Sequence, residues 1–226
     1  LAKLGSCFDT ASIPEIEQVL AAGATPDRIS YGNTIKKERD IARAFDLGVR
    51  LYAVDCKAEV EKVARAAPGA KVFCRILFDC AGAEWPLSRK FGCEPDMAAD
   101  ILEHAQRLGL EANGVSFHVG SQQRNTNAWD RALTQAAAVF RECGERGINL
   151  AMVNLGGGFP IRYRRDVPDT ERCANAVMGA VTKHFGNAIP ERARGGELAV
   201  ADESNFIDFK RSAMWIAKER VFVDVR

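Results

Sequence analysis

Short runs rich in β-branched and aromatic residues alternate along the chain with longer stretches whose apolar positions recur every three or four residues. These are the periods of buried strands and amphipathic helices. The first run, Ser6-Cys7-Phe8-Asp9, leads into Ser12-Ile13-Pro14-Glu15, which has the spacing of a capping box with proline in the first turn. Ile16, Val19 and Leu20 supply the apolar stripe of that helix, and Gly23 stops it. A strand over 28–31 is followed by a helix marked by Ile41, Ala44 and Phe45 and ended at Gly48. Strands over 49–54 and 72–78 bracket a helix carrying Val60, Val63 and Ala64. After a loop with Gly82 and Pro86, Met97, Ile101, Leu102 and Ala105 predict a helix closed by Gly109. Val115-Ser116-Phe117 precedes a long helix with Trp129, Leu133, Ala136, Ala137 and Phe140 on one face, stopped near Gly147. A sixth strand over 150–155 enters Gly156-Gly157-Gly158-Phe159-Pro160, and a helix around 174–184 follows.

Six β-α units in succession predict a parallel sheet with right-handed crossovers. An open doubly wound sheet is one solution. So many uninterrupted repeats favour the other, a (β/α)8 barrel. Leu1 to Gly5 reads as the end of a helix already under way, so a further segment is expected before it and the barrel is expected to be incomplete at its N-terminus. Arg220 to Val225 reads as a strand without a preceding helix, the expected start of a β-rich domain most of which lies beyond this chain. The organisation expected is therefore a barrel over 1–202 and a divergent tail over 203–226.

Composition narrows the function classes. Hydrophobic residues make up 47% and charged residues 27%, as in an ordinary globular protein. With 31 Lys and Arg against 30 Asp and Glu, no electrostatic case exists for nucleic acid or a membrane surface as partner. Arg162, Arg164 and Arg165 are followed by Asp166 and read as a solvated loop. The seven cysteines contain no CxxC pair, which suggests reduced thiols in a cytoplasmic protein. No apolar run reaches membrane-spanning length, and the three histidines lack zinc-site spacing.

In a barrel, chemistry sits where strands end. That rule selects Asp9, Asn33, Arg75, His118 with Ser121, and Gly156 to Gly158. Bare glycine amides following a strand can cradle a phosphate, or equally form a tight turn that needs positive φ. No GxGxxG fingerprint supports a Rossmann fold. His118 closes an apolar strand, so its ring would stand at the barrel mouth with the Ser121 hydroxyl in reach of an anion, whereas His104 and His184 lie on helices. Arg75 within Phe73-Cys74-Arg75-Ile76-Leu77 demands a carboxylate or ligand partner, and Asp9 ends its strand on the same logic. Glu15 is accounted for slightly better by helix capping than by catalysis, and Asn33 by turn formation.

These segments, in this order, resemble the fold-type III pyridoxal-phosphate decarboxylases of ornithine, lysine, arginine and diaminopimelate, whose barrels are alanine racemase-like. The resemblance is carried by 5–12, 29–36, Ser88-Arg89-Lys90-Phe91-Gly92, 114–121 and 155–160, covers about residues 1 to 190, and is closest to short bacterial ornithine/lysine decarboxylases. It implies pyridoxal 5'-phosphate as cofactor, a basic amino acid as substrate, a diamine for polyamine biosynthesis as product, and a homodimer. His118 resembles the histidine that stacks on the pyridine ring, and Ser121 with Gly156 to Gly158 the phosphate cradle. Arg75 resembles the arginine beside the ring, and Asp9 and Glu15 the acidic pair near the Schiff-base lysine.

Three departures accompany the resemblance. The family's Schiff-base lysine falls upstream of Leu1; Lys71 lies at the wrong end of its strand, and Lys3 in the incoming helix. The family's Glu-Pro-Gly-Arg motif falls on Gly195-Gly196-Glu197-Leu198 or, shifted by one, Arg194-Gly195-Gly196-Glu197, and 190–215 resembles the family poorly. The C-terminal β domain, which in the family completes the dimeric site, is expected to lie beyond this chain. The chain as given is therefore expected to be inactive. The alternatives are a non-catalytic relative of the antizyme-inhibitor kind and a truncated gene product; a racemase-like barrel fits the 88–92 and 118–121 segments less well.

Overall fold

The computed structural model describes residues 1–86, 90–162, 166–186, 197–202 and 205–208. Phe8–Thr10 (β1), Ile29–Tyr31 (β2), Leu51–Val54 (β3), Lys71–Arg75 (β4), Glu111–Ser116 (β6) and Met152–Asn154 (β8) form one parallel sheet in that order. The helices Ile13–Ala21 (α1), Glu38–Asp46 (α2), Lys57–Ala66 (α3), Ala98–Arg107 (α4), Asn127–Glu145 (α5) and Thr170–Phe185 (α6) alternate with the strands. The expected order of strand and helix holds, and the sheet is an arc of the barrel. Ala83–Trp85 (β5) and Ser121–Gln123 (β7) form an antiparallel pair outside that sheet. Glu197–Asp202 (β9) pairs antiparallel with Asn205–Asp208 (β10), and their backbone lies beside β8 and β1, the two edges of the arc. The strand expected over 220–225 lies outside the described residues.

The register divides the sheet into two faces. Tyr31 pairs with Tyr52, and Val54 with Cys74, and these residues pack outward in the main core with helix residues such as Ile41, Val60, Ile101 and Trp129. The alternate positions Leu51, Ala53, Phe73 and Met152 form a separate inner cluster. Because strand side chains alternate faces, the pairings Asp9 with Ser30, Ser30 with Leu51, and Arg75 with Ser116 place Asp9, Ser30 and Arg75 on the inner side. Along the hydrogen bonds Asp9 leads to Lys71, four residues before Arg75. A barrel's strand tilt takes up roughly one residue per strand, about three over these steps, which brings the level of Asp9 closer to Arg75 than to Lys71.

Two local expectations are corrected. The strand expected over 72–78 ends at Arg75, because the chain turns there to pair with Cys93: Cys93 N donates to Arg75 O and Leu77 N to Cys93 O. At the start of α1, Ser12 makes no side-chain cap; its hydroxyl donates to Glu15 Oε1 at 3.0 Å, while Glu15 Oε2 accepts the Ala11 amide at 2.7 Å. The carboxylate competes successfully for the hydroxyl proton, so Glu15 alone closes the helix start.

Candidate functional site at the strand ends

Asp9 sits among protein atoms at the inner face, although the mouth leaves it some contact with solvent. Ser30 Oγ donates to Asp9 Oδ1 at 2.6 Å. Burial raises the Asp9 pKa to about 6, against the Ser30 hydrogen bond and the positive charge of Arg75, with Glu15 pushing it further up. Asp9 thus feels the charges of Arg75, at the end of β4, and of Glu15, in the first turn of α1. The Arg75 guanidinium lies 5.5 Å from the Phe91 ring centroid, and Gly92 N donates to Asp55 Oδ2 at 3.0 Å, so the second half of the 88–92 segment packs beside Arg75. Ser88 and Arg89 lie outside the described residues.

His118 follows β6 at the same end. Its Nδ1 accepts the Gly120 amide at 2.9 Å, which assigns the ring hydrogen of the neutral tautomer to Nε2. The glycine run is pressed onto this segment. Gly156 has φ 66°, and a Cβ there would fall 2.1 Å from Phe117 O; Gly158 has φ 91°, and a Cβ would fall 2.2 Å from Gly120 O. Asn154 Oδ1 accepts the Gly156 amide at 2.9 Å, and Gly158 O accepts the Gln123 amide at 2.8 Å. Phe159 stacks on Trp129 of α5, with ring centroids 4.8 Å apart, and anchors the far side of the turn. The tight-turn reading therefore accounts for Gly156 and Gly158. It leaves the amides of Gly157 and Gly158, both buried, without a protein acceptor among the described residues. Buried amides left over in this way suit an anion. Ser121 opens β7 beside them, opposite Trp85 of β5.

The fit to a phosphorylated aromatic cofactor rests on that pair of amides next to a flat imidazole. The structure brings Asp9 and Arg75 together, and His118 together with the glycine turn, at one end of the sheet. Glu15 is placed apart from them in one respect, since both its oxygens are already engaged at the exposed start of α1. Residues 194–196 of the altered glutamate motif lie outside the described residues. Among the described residues no cluster of metal-ligating side chains occurs.

Sequence reasoning missed three contributors. Ser30 and Gly32 contact the Asp9 carboxyl, and only strand register reveals them. Lys36, wholly excluded from solvent, bonds Asn33 O at 2.9 Å, Ala53 O at 2.6 Å and Glu59 Oε1 at 2.9 Å. It pins the loop after β2, which begins at the Gly32 that stands against the Asp9 carboxyl.

A parallel barrel arc with charged and glycine-rich strand ends defines a class of small-molecule enzyme scaffolds. Comparison with known proteins makes it specific. The pyridoxal-binding domain of pyridoxal-dependent decarboxylases matches residues 1–193, and the chain belongs to that family. It is 38% identical over 196 residues to the lysine/ornithine decarboxylase of Selenomonas ruminantium, covering 85% of this chain and 48% of that protein. It is also 39% identical over 160 residues to antizyme inhibitor 2 of Xenopus laevis, covering 71% and 35%. The solved structure of SrLDC in complex with PLP and cadaverine superposes with a TM-score of 0.71 at 35% identity, covering 84% of this chain and 48% of that one. The chain thus spans about half, or less, of the length of these relatives.

Proposed function

We propose that this chain is the cofactor-binding barrel of a pyridoxal-phosphate-dependent decarboxylase that converts a basic amino acid, ornithine or lysine, to a diamine for polyamine synthesis. Residues 1–202 belong to the barrel and 203–226 are a divergent tail whose described part, 205–208, pairs back on β9, and the whole protein works as a cytoplasmic homodimer. The observation that carries the reading is the glycine turn pressed against the His118 segment, with two buried amides that meet no acceptor among the described residues, at the end of the sheet where Asp9 meets Arg75.

When bound, pyridoxal phosphate supplies the electron sink for the pair left behind as carbon dioxide departs. The amides of Gly157 and Gly158 and the Ser121 hydroxyl hold the phosphate. His118, its ring fixed by the Gly120 amide, offers a face to the pyridine. Arg75 would place a positive charge near the cofactor ring, on the side where Asp9 stands. Asp9, with a pKa of about 6, carries a proton below that pH and releases it above.

Titration of the purified chain with pyridoxal phosphate, followed by absorbance, should show saturable binding that inorganic phosphate competes away. His118→Ala and Ser121→Ala should each weaken it about tenfold or more, the size of one charge-assisted hydrogen bond or stacking contact. Unsaturable uptake, or variants that bind like the wild type, would refute the assignment. A second reading, a non-catalytic relative, is raised by the identity to antizyme inhibitor 2. Release of carbon dioxide from ornithine or lysine by the whole protein excludes it, and cofactor binding without turnover supports it.

A further inference from the structure

Asp9 lies one residue before the end of β1 on the inner face, and both of its flanks are occupied by residues of the next strand and the loop beyond it. On one side the Ser30 hydroxyl donates to Oδ1 at 2.6 Å; its other acceptor within range, Phe8 O, lies at 3.5 Å, so the carboxylate holds that proton. Ser30 O is itself fixed by the Thr10 hydroxyl at 2.7 Å, which ties the donor to β1 a second time. On the other side stands Gly32. A Cβ there would fall 2.1 Å from Asp9 Oδ1, 2.3 Å from Oδ2 and 2.4 Å from Cγ. The carboxyl group fills the space that any other residue's side chain would take. Gly32 N, donating to Thr10 O at 2.8 Å, holds that bare Cα in place.

We propose that Ser30 and Gly32 are positioning residues for Asp9: the hydroxyl fixes one carboxylate oxygen, and the glycine leaves the space that lets the group turn inward toward Arg75. This rests on the proposed function only for what Asp9 then faces, the bound cofactor and substrate. The charged groups that reach Asp9 are Arg75 from β4, which favours its anion, and Glu15 from α1, which opposes it. Burial opposes it most; the Ser30 bond is the largest of the contacts that favour the anion, ahead of Arg75 and a hydrogen bond from the Thr10 backbone.

The test is carboxyl titration by NMR of the chain labelled with 13C-aspartate, with the Asp9 resonance assigned by its loss in Asp9→Asn. The wild-type midpoint is expected near 6. In Ser30→Ala it should rise by about one pH unit or more, the loss of a hydrogen bond to the charged form. Ser30→Thr, which retains the hydroxyl, should titrate like the wild type. Gly32→Ala should displace the carboxyl and change both its shift and its midpoint; if that variant fails to fold, the Ala and Thr pair at Ser30 decides alone. An unchanged midpoint in Ser30→Ala, or equal displacement in Ser30→Ala and Ser30→Thr, overturns the proposal. The titration is read without cofactor, so a failure here leaves the decarboxylase reading intact. A chain that takes up no pyridoxal phosphate, but whose Asp9 follows Ser30, overturns that reading and sustains this one.

Discussion

Removing the Glu59 carboxylate should cost more stability than removing the lysine it holds. Lys36 and Glu59 have side chains 0% and 3% exposed, with Nζ 2.9 Å from Oε1. The same oxygen accepts the Lys36 amide at 3.1 Å, and the other pairs with Lys62 Nζ at 2.5 Å. Glu59→Gln leaves the Lys36 ammonium buried among neutral oxygens alone, those of Asn33, Ala53 and the new amide, with no counter-charge. Stranding a buried charge in this way costs about 3–5 kcal/mol. Lys36→Met removes the cation and fills its channel with a chain of similar volume, while Glu59 keeps the backbone amide and Lys62; about 1–2 kcal/mol is expected. Burial already holds the Lys36 pKa below its ordinary value against the pull of Glu59, and losing Glu59 lowers it further. Between that lowered value and the unfolded one the unfolded chain binds more protons, so stability rises with pH. The Gln variant should therefore recover part of its deficit as the pH is raised from neutrality toward the ordinary lysine value of about 10. Urea unfolding followed by far-UV circular dichroism at both ends of that window measures it. A Lys36→Met variant as damaged as Glu59→Gln, or a deficit that grows with pH, would refute the reasoning.

At Asp9 the sign is reversed for an acid: a pKa raised from 3.8 to about 6 means the folded chain holds the proton more tightly, so the stability present below pH 3.8 is lost as pH rises through 6. Asp9→Asn should thus be more stable than the wild type at pH 8 by roughly 1–3 kcal/mol, with the gap closing toward pH 4 in parallel urea titrations. Gly156→Ala should cost about 3 kcal/mol or more from left-handed strain and overlap, whereas Gly179→Ala on α6, with nothing within 4 Å of the new methyl, should stabilise by about 0.5–1 kcal/mol; thermal melts that reverse this order would contradict the packing described. Of the cysteines, exposed Cys56 should react first with a thiol reagent at pH 8. Cys74, its thiol pushed well up by the Cys93 contact and burial, and Cys143 and Cys173, pushed up to about 11 by burial, should react only on unfolding.

The arc of the barrel was legible because its strands are short apolar runs separated by periodic helices, a pattern that needs no tertiary knowledge. Asp9, Arg75 and His118 were legible for a related reason: a charged or polar side chain ending an apolar run must be reconciled with burial, which marks it out. The β5 and β7 pair was not, since Ala83-Glu84-Trp85 and Ser121-Gln122-Gln123 lack the alternation of a half-buried strand. Ser30 was hidden in a run that looks like any other strand, and its importance depends on being paired with Asp9, 21 residues earlier. Lys36 and Glu59, 23 residues apart on a loop and a helix, carry no local sign that they meet.

Glycines play different parts at the two ends of this sheet. Gly109 and Gly147, after α4 and α5, have positive φ and nothing within 4 Å of where a Cβ would stand, so conformation alone demands them. At the strand ends the demand is for space. Gly32 yields its volume to the Asp9 carboxyl, Gly156 to Phe117 O and Gly158 to Gly120 O. Curvature brings successive loops closer at this mouth than a side chain permits, and the site's polar atoms occupy the room so released. A methyl group at Gly109 should then cost about 1 kcal/mol of strain and nothing in binding. One at Gly32 or Gly156 should cost binding first, because what it displaces is the carboxyl group or the backbone of the site itself.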